Sequence, residues 1–118
     1  MRKPISPRLH SVLDYVSAAA VAAAPKLLDF HRSATRACET FTGLYTPFAA
    51  LTKSPAGVKP KIPLRVHRNA DIALAVLLPA LPWALGFARH RAARNFFLAL
   101  TAVTVVVTAL TDWDAEPA

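Results

Sequence analysis

Residues 5–32 read ISPRLHSVLDYVSAAAVAAAPKLLDFHR, and residues 62–89 read IPLRVHRNADIALAVLLPALPWALGFAR. A shift of 57 positions places ten identical residues opposite one another in these 28 positions. The identities are Ile5/Ile62, Arg8/Arg65, His10/His67, Asp14/Asp71, Ala18/Ala75, Ala23/Ala80, Pro25/Pro82, Leu28/Leu85, Phe30/Phe87 and Arg32/Arg89. A shift of 59 then places Thr42 on Thr101 and residues 50–52 on residues 109–111. The chain is therefore predicted to contain two tandem copies of one unit, at about residues 5–52 and 62–111.

Each unit contains two apolar stretches of helix length. The predicted helices cover about residues 6–28, 33–52, 69–88 and 93–110, and Pro79 and Pro82 are expected to bend the third. Such helices are about 30 Å long, which matches the hydrocarbon core of a bilayer. Hydrophobic residues make up 54% of the 118 residues and charged residues 18%, whereas soluble domains have roughly a quarter charged residues. The predicted fold class is all-α, a four-transmembrane-helix bundle made of two tandem parallel helical-hairpin repeats.

The segments outside the repeats predict the topology. Residues 53–61 form a predicted linker rich in proline and lysine, and residues 112–118 form a predicted acidic tail. Because each unit crosses twice, both termini lie on the same side of the membrane. Eight Lys and Arg residues fall on that side and six on the other, so the positive-inside rule favours cytoplasmic termini in a bacterial inner membrane.

Charge and cysteine content exclude several classes of function. The net charge is +7, but the cations stand in short groups between apolar stretches, where they would meet lipid headgroups. No nucleic-acid partner is therefore expected, and the predicted partner is the lipid bilayer. Cys38 is the single cysteine, which excludes an intrachain disulfide and a cysteine-based metal site. Residues 1–25 imitate a secretory leader, but their recurrence later in the chain favours an uncleaved helix.

Two short motifs resemble a known family. They are Pro82-Trp83 with Leu85-Gly86-Phe87 and, in the first unit, Pro25 with Leu28-Asp29-Phe30. They resemble the SPW-repeat family of small bacterial membrane proteins, although Leu81 stands where that family has serine and Lys26 where it has tryptophan. The resemblance implies the four-helix membrane fold and implies no activity.

A histidine and an aspartate stand four positions apart in both units. His10 and Asp14 lie on one helix face near one membrane boundary, as do His67 and Asp71. If the two units pack with pseudo-twofold symmetry, these four residues converge at one depth. Glu39 is a fifth candidate, which would either complete a metal site or pair with Arg36, and the ion pair is the favoured interpretation.

Several roles are open to this cluster. The two imidazoles could ligate a haem b iron, or all four side chains could bind a divalent metal. They could also relay protons or line a polar path. In a purely structural interpretation, each aspartate holds its neighbouring histidine or bridges the first and third helices.

Other polar and aromatic residues have simpler interpretations. Thr101, Thr104, Thr108 and Thr111 recur at helical spacing and predict a hydrogen-bonding seam between helices. The aromatic residues Tyr15, Tyr45, Trp83 and Trp113 are interpreted as interfacial anchors or packing residues.

The usual catalytic and phosphate-binding motifs are absent from the sequence, so the chain is predicted not to be an enzyme. The predicted function is a structural, accessory or self-associating membrane component without a cofactor, acting as a homo-oligomer or as a subunit of a larger complex. The alternatives are a haem- or metal-binding membrane protein and a transporter or channel for protons or a small solute.

Overall fold

The computed structural model describes residues 3–52 and 61–114, and its regular structure there is helical. The helices are α1 (Pro7–Leu27), α2 (Arg32–Leu51), α3 (Leu64–Leu77), α4 (Leu81–Ala84) and α5 (Arg91–Leu110). A 3-10 turn, Leu78–Ala80, joins α3 to α4, so the two form one interrupted helix. The predicted all-α fold with four helical segments is confirmed. Most of the predicted linker (residues 53–60) and the end of the acidic tail (residues 115–118) lie outside the described residues.

The first helix begins and ends where local chemistry dictates. The Ser6 hydroxyl accepts a hydrogen bond from the Leu9 amide at 3.1 Å, and Pro7 occupies the first helical turn. These are the usual preferences of a helix N-terminus. Pro25 lies in the last turn, and Asp29 has a φ of +55°, which ends the helix and turns the chain toward α2.

The third helix differs from its predicted bounds at both ends. It begins at Leu64, directly after Pro63, and not at residue 69. The prediction followed the apolar window alone, whereas the helix also includes the polar turn that carries Arg65 and Arg68. The helix is interrupted at Leu78–Ala80, around Pro79, as the prolines predicted. It ends at Ala84 and not at residue 88, shortly before Gly86 adopts a φ of +80°.

The helices form two antiparallel hairpins, the first from α1 and α2 and the second from α3 to α5. α1 packs against α2, and α3 packs against α5. A hydrophobic core joins the hairpins, and its buried side chains include Val21, Cys38, Leu78, Phe87 and Phe97. Cys38 is fully buried, as expected for an inert thiol.

Two isolated backbone bridges hold the ends of the helices together. Ile5 pairs with Thr111, and Thr52 pairs with Ile62. The Ile5 amide donates to the Leu110 carbonyl at 3.1 Å. Both described ends of the chain therefore lie at one end of the bundle, which we call the threonine end because Thr52 and Thr111 lie there.

The outer surface of the bundle is rich in large apolar side chains. Val16 is 58% exposed, Val76 74% and Leu44 70%. Among the described helices, α5 is the one that is long and apolar enough throughout to cross a membrane. Polar residues such as Asp14 and Asp71 lower the mean hydropathy of α1 and α3, although these residues are buried in the bundle.

Gly86 is expected to be required for its backbone conformation alone. A Cβ at Gly86 would have no atom within 4 Å, but φ is +80°. Gly86→Ala should therefore lower the free energy of unfolding by about 1 kcal/mol, measured as a lower thermal midpoint in detergent. Gly43 also has open space around it but lies inside α2, so the control Gly43→Ala should raise stability by about 0.5–1 kcal/mol. Equal effects of the two substitutions would contradict the backbone explanation.

Candidate metal centre

Four of the five residues that the sequence singled out meet at the threonine end. His10 and Asp14 come from successive turns of α1, and His67 and Asp71 from successive turns of α3. All four residues are buried, between 1% and 7% exposed. The cluster therefore brings ionisable groups from both hairpins together away from water.

Each imidazole contacts both carboxylates. His10 Nε2 lies 3.0 Å from Asp71 Oδ2 and 3.3 Å from Asp14 Oδ1. His67 Nε2 lies 2.9 Å from Asp14 Oδ2 and 3.2 Å from Asp71 Oδ2. Of its two carboxylate contacts, each histidine makes the shorter one to the aspartate of the other hairpin, so the cluster links the two hairpins as well as successive turns.

Two threonines determine how the histidines are protonated. His10 Nδ1 lies 2.8 Å from Thr111 Oγ1, and His67 Nδ1 lies 2.7 Å from Thr52 Oγ1. The hydroxyls of Thr111 and Thr52 donate to the backbone carbonyls of Val107 and Phe48, respectively. A hydroxyl has one hydrogen, so each threonine can only accept from its histidine. Both Nδ1 atoms therefore carry hydrogen.

The hydrogen bonds from Nδ1 to the threonines hold both rings with Nε2 facing the carboxylates. A neutral imidazole with hydrogen on Nδ1 has a lone pair on Nε2, which would face the anionic oxygen atoms. That arrangement is favourable only if a proton or a metal cation lies between nitrogen and oxygen. The donor atoms of the four residues all lie within 4.8 Å of one another.

The spacing of these donors suits a small ion. Ligand atoms about 2.0–2.1 Å from a tetrahedral zinc lie about 3.3–3.4 Å apart, and the four nitrogen–oxygen distances here run from 2.9 to 3.3 Å. These contacts involve both oxygens of Asp14 and one of Asp71, so the side chains would have to adjust to place one oxygen of each aspartate and both Nε2 atoms around an ion. The set of two imidazoles and two carboxylates suits zinc and other divalent transition metals.

Tyr45 of α2 completes the cluster. Its hydroxyl donates to Asp71 Oδ1 at 2.7 Å and lies 3.1 Å from His67 Nε2. The hydrogen bond occupies one carboxylate oxygen and leaves Oδ2 facing the two imidazoles. Outer hydrogen bonds of this kind orient metal ligands. The sequence predicted an anchor or packing role for Tyr45 and did not predict this contact.

Aromatic rings cover the cluster. Phe48 stacks on His67 with ring centroids 4.7 Å apart, and Trp113 lies edge-on to His10 at 4.6 Å. The Trp113 indole donates to the Thr108 carbonyl at 2.9 Å, which holds the ring in place. Exclusion of water strengthens the electrostatic interactions among the ionisable groups.

The fifth candidate, Glu39, lies elsewhere. It is exposed on α2 and takes no part in the cluster. In the part of the chain that the structure describes, no ion pair joins Glu39 to Arg36. Neither the predicted metal role nor the predicted ion pair of Glu39 is therefore formed.

The threonines of α5 only partly form the predicted seam. Thr101 and Thr104 donate to carbonyls one turn earlier in their own helix, both at 2.8 Å. Such bonds satisfy the hydroxyl hydrogen and do not link helices. Thr111 is the one that reaches another helix, through His10.

The cavities beside the imidazoles are too small for a haem. One, lined by His10, Asp14 and Asp71, has a volume of about 30 Å³, and another, lined by His10 and His67, about 10 Å³. The larger of them has room for roughly one water molecule. The carboxylates occupy the space where a macrocycle would lie, so the geometry fits a single ion and not haem b.

Comparisons of the chain with family models, with curated proteins and with solved structures found no match. The resemblance to the SPW-repeat family therefore stays a prediction from the motifs. The chemistry of the site is inferred from its own residues.

Proposed function

We propose that this chain is an integral membrane protein that binds one divalent transition-metal ion between its two hairpins. The ligands are His10 Nε2, His67 Nε2, and one oxygen each from Asp14 and Asp71. The orientation of the histidines is the observation that carries the proposal. Thr111 and Thr52 hold both Nδ1–H groups, so both Nε2 atoms converge on the two carboxylates.

The charge of the cluster favours a divalent ion. Two carboxylates carry two negative charges, and without a metal two imidazolium protons would balance them. A divalent ion that replaces these two protons leaves the buried cluster neutral. A buried charge without compensation is costly, so a divalent ion fits better than a monovalent or trivalent one. The set of two imidazole nitrogens and two carboxylate oxygens makes zinc the first candidate.

The distribution of polar and apolar residues supports membrane insertion of all four helical segments. The cluster of His10, Asp14, His67 and Asp71 is buried, whereas large apolar side chains are exposed on α1, α3 and α5, and Leu44 is exposed on α2. Helix α5 is apolar enough to span a membrane by itself. α1 and α2, with 21 and 20 residues, are about 30 Å long, the thickness of the hydrocarbon core.

The helix bounds support an origin from two copies of one hairpin. α1 covers residues 7–27, and the interrupted helix α3–α4 covers residues 64–84, which is the same range shifted by 57. α2 and α5 are related by a shift of 59. The two backbone bridges follow the same shifts, since Ile5 corresponds to Ile62 and Thr52 to Thr111. Each copy therefore contributes one histidine, one aspartate and one threonine to the centre.

Metal analysis of the purified protein tests the proposal. The chain should resist extraction from membranes by high salt and alkaline carbonate and should dissolve in detergent. After dialysis against micromolar zinc and removal of free ion, elemental analysis should find about one metal per chain, with a higher thermal midpoint than the chelator-treated sample. Ligands that bind only the folded state stabilise it by mass action.

If the purified protein binds no metal, the result would support the function of a structural membrane component. In that case the four side chains form a metal-free hydrogen-bonded network that joins the hairpins. A folded detergent-soluble sample that retains less than about a tenth of an equivalent of zinc, manganese, iron, cobalt or nickel, and whose thermal midpoint none of these ions changes, would overturn the metal proposal.

A further inference from the structure

A large apolar groove runs between α2 and α3, which belong to different hairpins. Its volume is about 760 Å³, within the range of about 300–1,000 Å³ that is usual for small-molecule sites. Its walls include Phe41, Leu44 and Phe48 from α2 and Ala70, Ala73 and Leu77 from α3. The small alanine side chains of α3 leave space opposite the phenyl rings of α2.

The length of the groove is close to that of one extended acyl chain. Along α2 it extends from Arg36 to Phe48, which is about 18 Å at 1.5 Å per residue. Half of a hydrocarbon core is about 15 Å thick. Of its polar lining, the Tyr45 hydroxyl is bonded to Asp71, and only Thr40 and Arg36 remain. The interior therefore offers few hydrogen-bonding groups to a polar solute and suits a hydrocarbon chain.

One charged residue marks the end of the groove far from the metal centre. Arg36 is the charged side chain among the described residues that line it, and it is exposed in the second turn of α2. Within the described ranges it forms no ion pair. A guanidinium group binds phosphate oxygens in a bidentate manner.

We propose that this groove binds one acyl chain of an anionic phospholipid, with the lipid phosphate at Arg36 and the chain end toward Tyr45. The apolar walls, a length close to that of one acyl chain and the single cation at one end carry this assignment. It rests on the membrane insertion proposed above but not on the metal.

Spin-labelled lipids test the assignment in the full-length protein. In phosphatidylcholine vesicles containing the protein, labelled phosphatidylglycerol should show a motionally restricted population. Its affinity should exceed that of labelled phosphatidylcholine by about fivefold, since one arginine near a membrane surface contributes about 1 kcal/mol to the binding of an anionic lipid. Arg36→Gln should abolish this preference.

Two variants control for general effects. Arg91 is an exposed cation at the start of α5, at the same end of the bundle as Arg36 but outside the groove lining, so Arg91→Gln should keep the fivefold preference. Ala73→Phe places a ring in the groove and should remove the restricted population of both lipids while one zinc per chain is retained.

Three outcomes would overturn the inference. The first is an equal loss of the preference for phosphatidylglycerol in the Arg36 and Arg91 variants. The second is an unchanged population of restricted lipid in Ala73→Phe. The third is a dimer of the parent protein that Ala73→Phe dissociates, which would assign the groove to a second copy of the chain. In each of these cases zinc binding and carbonate resistance in the same vesicles would leave the proposed function intact. A chain that carbonate extracts would instead refute the membrane insertion on which both proposals depend.

Discussion

Asp71→Asn is expected to lower the affinity for zinc by more than about 100-fold. Asp71 Oδ2 lies within 3.2 Å of both Nε2 atoms, and it is the oxygen of this residue that we propose as a ligand. Loss of an outer-shell partner alone typically costs about 10–100-fold in metal affinity, and loss of a ligand should cost more. Asparagine keeps the shape of the side chain and its bond to Tyr45 but removes the charge that balances the ion. Titration with a competing chelator measures the effect.

Glu39→Gln is the matched control. It also replaces a carboxylate by an amide on a helix of the same bundle, but Glu39 is exposed and outside the cluster. Its zinc affinity should remain within about twofold of the parent, because long-range interactions of exposed charges are screened. Circular dichroism should show equal helix content in both variants. Equal zinc affinity of Asp71→Asn and the parent protein would exclude Asp71 as a ligand.

The double substitution Thr52→Val and Thr111→Val should weaken zinc binding by about 10–100-fold without removing a ligand. Each valine has nearly the shape of threonine but offers no acceptor to the histidine Nδ1–H. The imidazoles would then lose the contacts that fix their orientation, at 2.7 Å for His67 and 2.8 Å for His10. Nitrogen NMR of labelled histidine in the zinc-loaded protein should show ligation through Nε2 in the parent and a mixture of Nε2 and Nδ1 ligation in the variant.

Serine at the same two positions provides a rescue. Thr52→Ser with Thr111→Ser retains both hydroxyls and should restore the affinity to within a few-fold of the parent. Thr101→Val and Thr104→Val remove hydroxyls that bond only to their own helix, so they should leave the affinity unchanged. If all these threonine variants weakened binding equally, a general loss of packing and not the orientation of histidine would be the cause.

Periodicity and self-similarity predicted the helices well, and the errors lie where the prediction used apolar runs alone. The third helix begins at Leu64, within a charged stretch that a hydropathy window does not select. The 57-residue shift from Pro7, the start of α1, would have placed it correctly. Mean hydropathy is a poor guide to such a helix, because a buried aspartate lowers the mean even when the outer face of the helix is apolar.

The site was only half predictable, for a related reason. The spacing of four between histidine and aspartate predicted the ligand candidates within each helix. The contacts of Tyr45, Thr52 and Thr111 depend on how separate helices pack, which no local pattern specifies. The sequence contained one indication of the threonines: the 59-residue shift places Thr52 on Thr111, just as the 57-residue shift places His10 on His67. Glu39 has no counterpart that shares its chemistry, because the same shift places it on Leu98.

The crossed arrangement of the threonines has a consequence for biosynthesis. His10 is synthesised as part of α1, but the hydroxyl that orients it belongs to Thr111, directly after α5. His67 in turn requires Thr52 from the first hairpin. All four proposed ligands have been synthesised once α3 is complete, but the hydroxyl that orients His10 follows only after α5. If the proposed ion binds, full affinity is therefore expected only after both hairpins have assembled, and a chain that ends before Thr111 would bind it more weakly.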